Sequence, residues 1–218
     1  MYRQCLVVEF REAINTAEVA LGGWRRIVQV MEQVGSADSQ GMSQEYPPGE
    51  VGQVIVQLIG LSRPDGVAGE TLDQAIPKVQ QINDKGIKGT LDLLGEDVKD
   101  RKTADETVDN YIELLKGINE AGLDSTISIK LTMIGLDIDH QYCKDNLFRL
   151  LDVARDQDQF VRIDMEGSKH TQATIDLFKE AFSVYGKHVG IVIQAYLHRT
   201  KEDISELAEI GADIRLCK

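Results

Sequence analysis

The stretch FVRIDME (residues 160–166) decides between the folds open to this chain, because apolar and charged residues alternate along it. In an extended chain, successive side chains point to opposite faces. One face is apolar and the other is charged: Val161, Ile163 and Met165 against Arg162, Asp164 and Glu166. Strands buried on both faces of a parallel sheet are apolar throughout. The pattern therefore predicts a strand with one face against helices and a charged face toward the inside or the mouth of a barrel.

Four more runs of apolar and β-branched residues accompany this strand, with stretches of helical periodicity between them. The predicted strands are IKGTLDLLG (87–95), TISIKLTMIG (126–135), VGIVIQAYL (189–197) and ADIRLCK (212–218). The predicted helices cover residues 72–82, 103–121, 142–155, 171–185 and 201–210. Because single helices join successive strands, the strands must run parallel. The sequence predicts an α/β fold of the parallel (βα) TIM-barrel type that is incomplete, with about five of the eight strands.

Local motifs refine this prediction. An open doubly wound sheet is the competing architecture, but no GxGxxG motif follows any of the predicted strands. Thr103 and Glu106 have the spacing of a capping box at a helix start. Gly122 and Gly211 follow two predicted helices, in the position that glycine favours just past a helix end.

The first part of the chain differs from the rest. Apolar residues recur at helical spacing between Phe10 and Val34, and SADSQGMSQEYPPGEVGQ (36–53) has the composition of a linker. VIVQLIGL (54–61) fits either a strand or a short buried helix. The sequence therefore predicts a division into residues 1–64, a helix plus linker, and residues 65–218, the partial barrel.

Composition excludes several classes of protein. The 218 residues carry 24 basic and 36 acidic side chains, a net charge of −12, which argues against nucleic-acid binding. No apolar run approaches the roughly 18 residues of a membrane span, and the first residues lack the apolar region of a secretory signal. Three widely spaced cysteines, without a CxxC pair, indicate free thiols in a reducing compartment. We expect a cytoplasmic location.

Polar side chains gather toward the carboxyl ends of the predicted strands, the end at which barrel active sites form. They are Lys130, Asp164, Glu166, Gln194 and Arg215. Lys130, Arg215 and Lys218 suit an anionic ligand, and Asp164 and Glu166 suit acid–base work or the orientation of those cations. The alternative is an ion-pair network, including Arg162, that closes the mouth of the barrel. The four histidines lack metal-ligand spacing and are expected in solvent or at helix caps, so no metal site is predicted.

Six motifs carry a family resemblance. They are VAGETLDQAI (67–76), TLDLLGE (90–96), SIKLTMIGLDID (128–139), FVRIDMEGS (160–168), IVIQAYLHRT (191–200) and IRLCK (214–218). In this order they resemble the flavin-dependent proline dehydrogenases. The resemblance implies a distorted (βα)₈ barrel that binds FAD, oxidises L-proline to 1-pyrroline-5-carboxylate and passes electrons to a quinone. It also implies a bacterial cytoplasmic enzyme that reaches its acceptor at the membrane surface.

The resemblance assigns roles to individual residues. Lys130 matches the lysine that helps to hold the proline carboxylate, and Asp164 matches the active-site aspartate. Met165 and Gln194 match positions that contact the flavin, the glutamine on its pyrimidine edge. Arg215 matches the arginine near flavin N5, where negative charge develops as hydride arrives, so that it counts as both catalytic and cofactor-binding. Lys218 begins a segment that contacts FAD.

The family pattern continues beyond Lys218 with three further strands, so the resemblance implies the first five strands of the barrel. We expect this chain to bind FAD poorly, to show little or no proline oxidation and to associate through an open sheet edge. The main alternative is a non-catalytic half-barrel that acts as a structural or interaction protein. A third possibility is an aldolase-type barrel that binds phosphate and forms a Schiff base at Lys130.

Overall fold

A computed structural model describes residues 71–84, 86, 88–95 and 97–217 of the chain, together with the backbone of residues 8–9, 56–58 and 67–69. The predicted helix between Phe10 and Val34, the predicted linker over residues 36–53 and the candidate site residue Lys218 lie outside the described residues. The division of the chain at residues 64 and 65 stays a prediction.

Strands and helices alternate along the described residues. The strands are β1 Val8–Glu9, β2 Val56–Leu58, β3 Val67–Gly69, β4 Gly89–Leu93, β5 Ser125–Ile129, β6 Val161–Ile163, β7 Val189–Gln194 and β8 Asp213–Cys217. The α-helices are α1 Leu72–Asn83, α2 Arg101–Glu120, α3 His140–Asp156, α4 Thr171–Tyr185 and α5 Thr200–Glu209. Three short 3₁₀ turns are also present: one follows β5 (Leu131–Ile134), one precedes α4 (Ser168–His170) and one precedes β7 (Gly186–His188).

All eight strands form one sheet in the order β1-β8-β7-β6-β5-β4-β2-β3. Strands β4 to β8 are parallel to one another, and one α-helix follows each of β4 to β7. The prediction of five parallel strands in an α/β fold is confirmed, and the described strands do not close into a barrel. Of the two forms left open for residues 54–61, the strand is found at Val56–Leu58.

Short antiparallel strands flank the parallel ones. Strand β2 pairs with β4, and the two-residue β1 pairs with Glu9 opposite Arg215 and Val8 opposite Leu216 of β8. Such pairing satisfies backbone groups that an outer strand would otherwise leave free. The predicted association through an open edge remains a prediction.

The apolar face of the parallel strands packs on the helices. Its fully buried members include Leu91, Ile127, Ile129, Ile163 and Ile191. These form one core with apolar residues of the helices, among them Leu114, Leu115, Leu147 and Phe178. The period-two alternation along each strand thus separates a core face from a polar face, as the sequence predicts.

The start of α2 differs from the sequence prediction. The helix begins at Arg101, and its N-cap is Asp100, whose carboxylate accepts a hydrogen bond of 2.9 Å from the backbone N–H of Thr103. The predicted capping box at Thr103 is therefore wrong, because an aspartate three residues earlier caps the helix equally well. The predicted role of Gly122 at the other end is confirmed, since its φ of +62° is one that side chains disfavour.

Candidate functional site

Polar residues of neighbouring strands stand side by side on the face of the sheet opposite the core. Asp92 pairs in register with Ser128, and Ser128 pairs with Arg162. Two residues farther along the same face come Lys130 and Asp164. We call this carboxyl edge of β4 to β8 the rim. The register brings together side chains that lie far apart in sequence.

Asp164 and Arg215 form the centre of the rim. Arg215 Nη2 donates to Asp164 Oδ1 over 2.5 Å and to Ser128 Oγ over 3.2 Å. Ser128 Oγ also donates to Asp164 Oδ1, at 2.5 Å. The Arg215 and Asp164 side chains are only 7% and 17% exposed, so their charges interact in a medium less polar than water. The structure therefore brings together two of the predicted site residues.

Lys130 forms a second pair with Asp92. Its Nζ lies 2.5 Å from Asp92 Oδ2, and the hydroxyl of the buried Tyr111 donates to Asp92 Oδ1 over 3.2 Å. Burial raises the pKa of Asp92, although attraction by Lys130 opposes the shift. Burial lowers the pKa of Lys130, but attraction by Asp92 and Asp164 outweighs this effect and leaves the pKa above its ordinary value. Lys130 is therefore held as an ammonium ion, with its side chain 23% exposed.

Both carboxylate oxygens of Glu166 accept hydrogen bonds from Thr132. Its Oε2 accepts from the backbone N–H of Thr132 at 3.0 Å, and its Oε1 accepts from the Thr132 hydroxyl at 2.6 Å. Burial raises its pKa, while these two donors act in the opposite direction. Both oxygens thus join the segment after β6 to the 3₁₀ turn after β5. This geometry gives Glu166 a structural contact and does not place it beside Asp164 in an ion-pair network.

Arg162 also lies outside the rim network that the sequence suggested. Its Nη1 donates to Asp213 Oδ1 over 2.6 Å and to the backbone oxygen of Asp213 over 3.2 Å. Asp213 begins β8, two residues before Arg215. The alternation along β6 predicts the correct face of the sheet for Arg162. It does not predict at which end of the strands the side chain finds its partner. The inclusion of Arg162 in a network that closes the mouth is therefore wrong.

Gln194 and Met165 lie next to each other at the rim. The Gln194 side-chain N–H donates to the backbone oxygen of Met165 over 3.2 Å, and the Thr200 hydroxyl donates to the backbone oxygen of Gln194. The other amide atom, Gln194 Oε1, is buried and has no hydrogen-bond partner among the described residues. Buried polar atoms are paired in most proteins, so an unpaired acceptor beside Met165 marks a place for a hydrogen-bond donor.

Comparison with known proteins identifies a family. A family model described as proline dehydrogenase matches residues 75–215. The chain belongs to the proline dehydrogenase family. Proline dehydrogenase 1 of Bacillus subtilis subsp. natto is 36% identical over 152 residues, which are 70% of this chain and 50% of that protein. Proline dehydrogenase of Deinococcus radiodurans is 33% identical over 156 residues, with the same two shares. The chain thus spans about half the length of these proline dehydrogenases.

Solved structures show the same fold. Proline utilization A from Bdellovibrio bacteriovorus, inactivated by N-propargylglycine, superposes with a TM-score of 0.61 at 24% identity over 66% of this chain and 18% of that chain. A mutant of proline utilization A from Bradyrhizobium japonicum gives a TM-score of 0.53 at 23% identity over 68% and 17%. The α/β arrangement of β4 to β8 is therefore a fold that these proteins share.

Sequence reasoning missed two residues of the rim. Asp92 stands between Leu91 and Leu93, so the alternation that identifies Asp164 also points to it. Tyr111 offers no such signal, because an aromatic residue on the apolar face of a helix reads as packing. Its hydroxyl reaches Asp92 only through the packing of α2 on β4.

His170 lies at the N-cap position of α4, one of the two places predicted for the histidines, but its side chain makes no capping bond. The side chain is buried and shares a hydrogen bond of 2.7 Å between its Nε2 and Asp137 Oδ1. Within the described part of the chain, no group of three His, Cys, Asp or Glu side chains is arranged to bind a metal ion. None of the described helices is long and apolar enough to cross a membrane.

Proposed function

We propose that the rim takes part in the FAD-dependent oxidation of L-proline to 1-pyrroline-5-carboxylate. One observation carries the proposal: two ion pairs lie on one edge of the sheet, Asp92 with Lys130 and Asp164 with Arg215. The chain that holds them belongs to the proline dehydrogenase family. Each pair has one cation and one carboxylate, so the rim offers complementary charge to a zwitterion such as proline.

Lys130 binds the proline carboxylate in this proposal. Its ammonium group has three N–H donors, and the bond to Asp92 uses one of them. Asp92 and Tyr111 fix the position of the ammonium group, and a fixed cation holds the proline ring in one orientation. The raised pKa of Lys130 keeps the donor charged at neutral pH.

Asp164 and Arg215 act at the reacting end of proline. Oxidation removes a hydride from C5 of proline and a proton from its ring nitrogen. Asp164 balances the charge of the neighbouring cations or accepts that proton. Its Oδ1 accepts both described hydrogen bonds, from Arg215 and Ser128, and within the described residues Oδ2 accepts none. Arg215 stabilises the negative charge that develops on the hydride acceptor, in a setting where charge interactions are strong.

The residues present fit an FAD. The unpaired Oε1 of Gln194 suits the ring N–H of a flavin, and Met165 lies beside it with an apolar side chain. Gln194, Met165 and Arg215 would hold the flavin, and Lys218 is proposed from the family match alone. When bound, FAD supplies the two-electron oxidation by accepting the hydride at N5.

Two observations separate this proposal from its alternatives. A Schiff base at Lys130 requires a neutral amine, whereas Asp92 and Asp164 hold Lys130 in its charged form. A purely structural half-barrel leaves the Oε1 of Gln194 unused, whereas the ring N–H of a flavin would pair with it. The quinone acceptor, its encounter at a membrane surface, the cytoplasmic location and the impaired activity of the 218-residue chain stay predictions.

Flavin binding tests the proposal first. The purified chain is titrated into FAD, and the visible absorption and fluorescence of the flavin are followed. We expect a saturable spectral change, of low affinity, that Gln194→Leu weakens. The matched control is Gln80→Leu on the exposed side of α1, where the side chain donates to Asp84 before β4, at the opposite end of the sheet from the rim. No spectral change at any concentration of the chain, or an equal response in both variants, would contradict the assignment.

A further inference from the structure

Three consecutive loops, which follow β4, β5 and β6, meet around the rim. Lys130 and Asp164 are the first residues after β5 and β6, and Asp92 lies within β4, next to its last residue. Side chains farther along the same loops contact one another in two additional layers. The rim pairs therefore form the innermost of three sets of contacts between the loops.

The middle layer joins all three loops through Thr132. The backbone N–H of Asp97, after β4, donates to the Thr132 hydroxyl over 3.2 Å. That hydroxyl in turn donates to Glu166, after β6, over 2.6 Å. Asp97 has a φ of +58°, in the left-handed region that aspartate adopts more readily than most residues other than glycine.

The outer layer converges on Asp137, in the loop after β5. Asp137 Oδ2 lies 2.7 Å from Lys99 Nζ of the first loop and 3.6 Å from Lys169 Nζ of the third. Asp137 Oδ1 accepts from His170 Nε2 of the third loop. The Asp137 side chain is 17% exposed and that of His170 is 9% exposed, so this contact is largely shielded from water. The hydrogen bond from Lys99 is the largest influence that lowers the pKa of Asp137, with His170 adding to it.

None of these outer residues has a role in the proposed function. Their contacts nevertheless connect the loops that carry Lys130 and Asp164. Exposed ion pairs contribute little, and Lys99 is 65% exposed. One carboxylate shared between two other loops has a different effect, because it opposes their separate movement. A small displacement of the loops would change the distance between Lys130 and Asp164.

We propose that Asp137 is a positioning residue that fixes the three loops relative to one another and thereby sets the geometry of the rim. The inference rests on the proposed function only for the identity of the ligand that the rim receives. Asp137 itself touches neither pair of the rim, so its effect passes through the middle layer around Thr132.

Hydrogen exchange of single backbone amides tests this inference without any need for activity. In Asp137→Asn, the amides of Asp97 and Thr132 should exchange about fivefold faster, because the loops open more often. The amide of Asp164 donates to the backbone of Ile129 within the sheet and should keep its rate. The matched control is Asp124→Asn, which removes an ion pair with Lys88 before β5, at the opposite end of the sheet.

Two further variants keep the test decisive if Asp137→Asn folds poorly. Lys99→Met removes an exposed partner and should accelerate the same two amides, by a smaller factor. Asp137→Glu keeps the charge and should restore slow exchange in part. Unchanged exchange of Asp97 and Thr132 in both Asp137→Asn and Lys99→Met overturns the proposal. Equal acceleration throughout the sheet overturns it as well, since that result indicates only a loss of stability.

Binding of L-proline by calorimetry separates this inference from the proposed function. Weaker binding in Asp137→Asn than in Asp124→Asn, together with local exchange, supports the positioning role. If the unaltered chain binds no L-proline, the proposed function fails, and the exchange rates still decide whether Asp137 holds the loops. If L-proline binds equally well to both variants, the role of Asp137 in setting the rim is refuted.

Discussion

Ser128, Asp164 and Arg215 form a closed triangle of hydrogen bonds, and each of the three comes from a different strand or strand end. Taking charges out of water is costly, and a partner of opposite charge is what makes a buried carboxylate tolerable. The same residues that we propose to act on proline therefore also stabilise the fold. Function and stability are coupled at this point of the molecule.

Removal of the arginine tests that coupling. Arg215→Met should lower the free energy of unfolding by about 3 kcal/mol, because Asp164 loses its buried partner. The double variant Arg215→Met with Asp164→Leu should recover most of the loss, since no unpaired charge remains. Urea denaturation of the two variants and of Asp164→Leu completes the cycle. If the loss of unfolding free energy in the double variant equals the sum of the losses in the two single variants, the two side chains do not interact.

Lys130 gives the chain a stability that depends on pH. Its pKa in the folded state is raised above 10.5, so its contribution is fully present below that pH and is lost as the pH rises through the raised value. Urea denaturation at increasing pH should show a fall in stability above pH 10.5 that is smaller in Lys130→Met. Burial also raises the pKa of Tyr111, so part of the fall should remain. A fall as large as in the unaltered chain would refute the pairing with Asp92.

At the scale of elements, α2 connects the helix layer to the rim. Its buried face packs on the sheet, and the same face sends Tyr111 to Asp92. The start of α2 therefore matters for the site, and Asp100 fixes it. The carboxylate is an effective cap only when ionised, and the bond to Thr103 lowers its pKa. Its contribution is thus present above the ordinary value of 3.8 and is lost as the pH falls through the lowered one.

The two candidate caps of α2 make opposite predictions. Asp100→Ala should lower the midpoint of urea denaturation at neutral pH, because the Thr103 N–H loses its acceptor. Thr103→Ala should leave the midpoint nearly unchanged, since Thr103 lies inside the helix, where alanine is favourable. A larger loss in Thr103→Ala would restore the capping box that the sequence suggested.

The elements and the site differ in how far the sequence predicts them. Alternation and helical periodicity are local properties, so the five parallel strands and the position of α4 follow from the sequence. The pairing of Arg162 with Asp213 depends on register across β7, which no local pattern records. The contact between His170 and Asp137 likewise arises from the approach of two loops. The alternation along a strand therefore predicts which side chains face the rim, and contacts that depend on register or on the approach of loops are not predictable from it.

On the scale of the whole molecule, charge and architecture act together. Residues 1–64 hold 5 basic and 7 acidic side chains, so 10 of the 12 net negative charges belong to residues 65–218. In that acidic part, Lys130 and Arg215 stand at one edge of the sheet, each beside a carboxylate. Such an arrangement favours a zwitterion over a simple anion. This agrees with the proposal that the rim receives L-proline.

Reduction of FAD by L-proline tests the central claim most directly. The chain is mixed with excess FAD under anaerobic conditions, and the visible band of the flavin is followed after addition of L-proline. We predict a slow bleaching whose rate saturates with L-proline and which Arg215→Met abolishes. If the band bleaches at the same rate in Arg215→Met, Arg215 takes no part in proline oxidation and the proposed function of the rim is wrong.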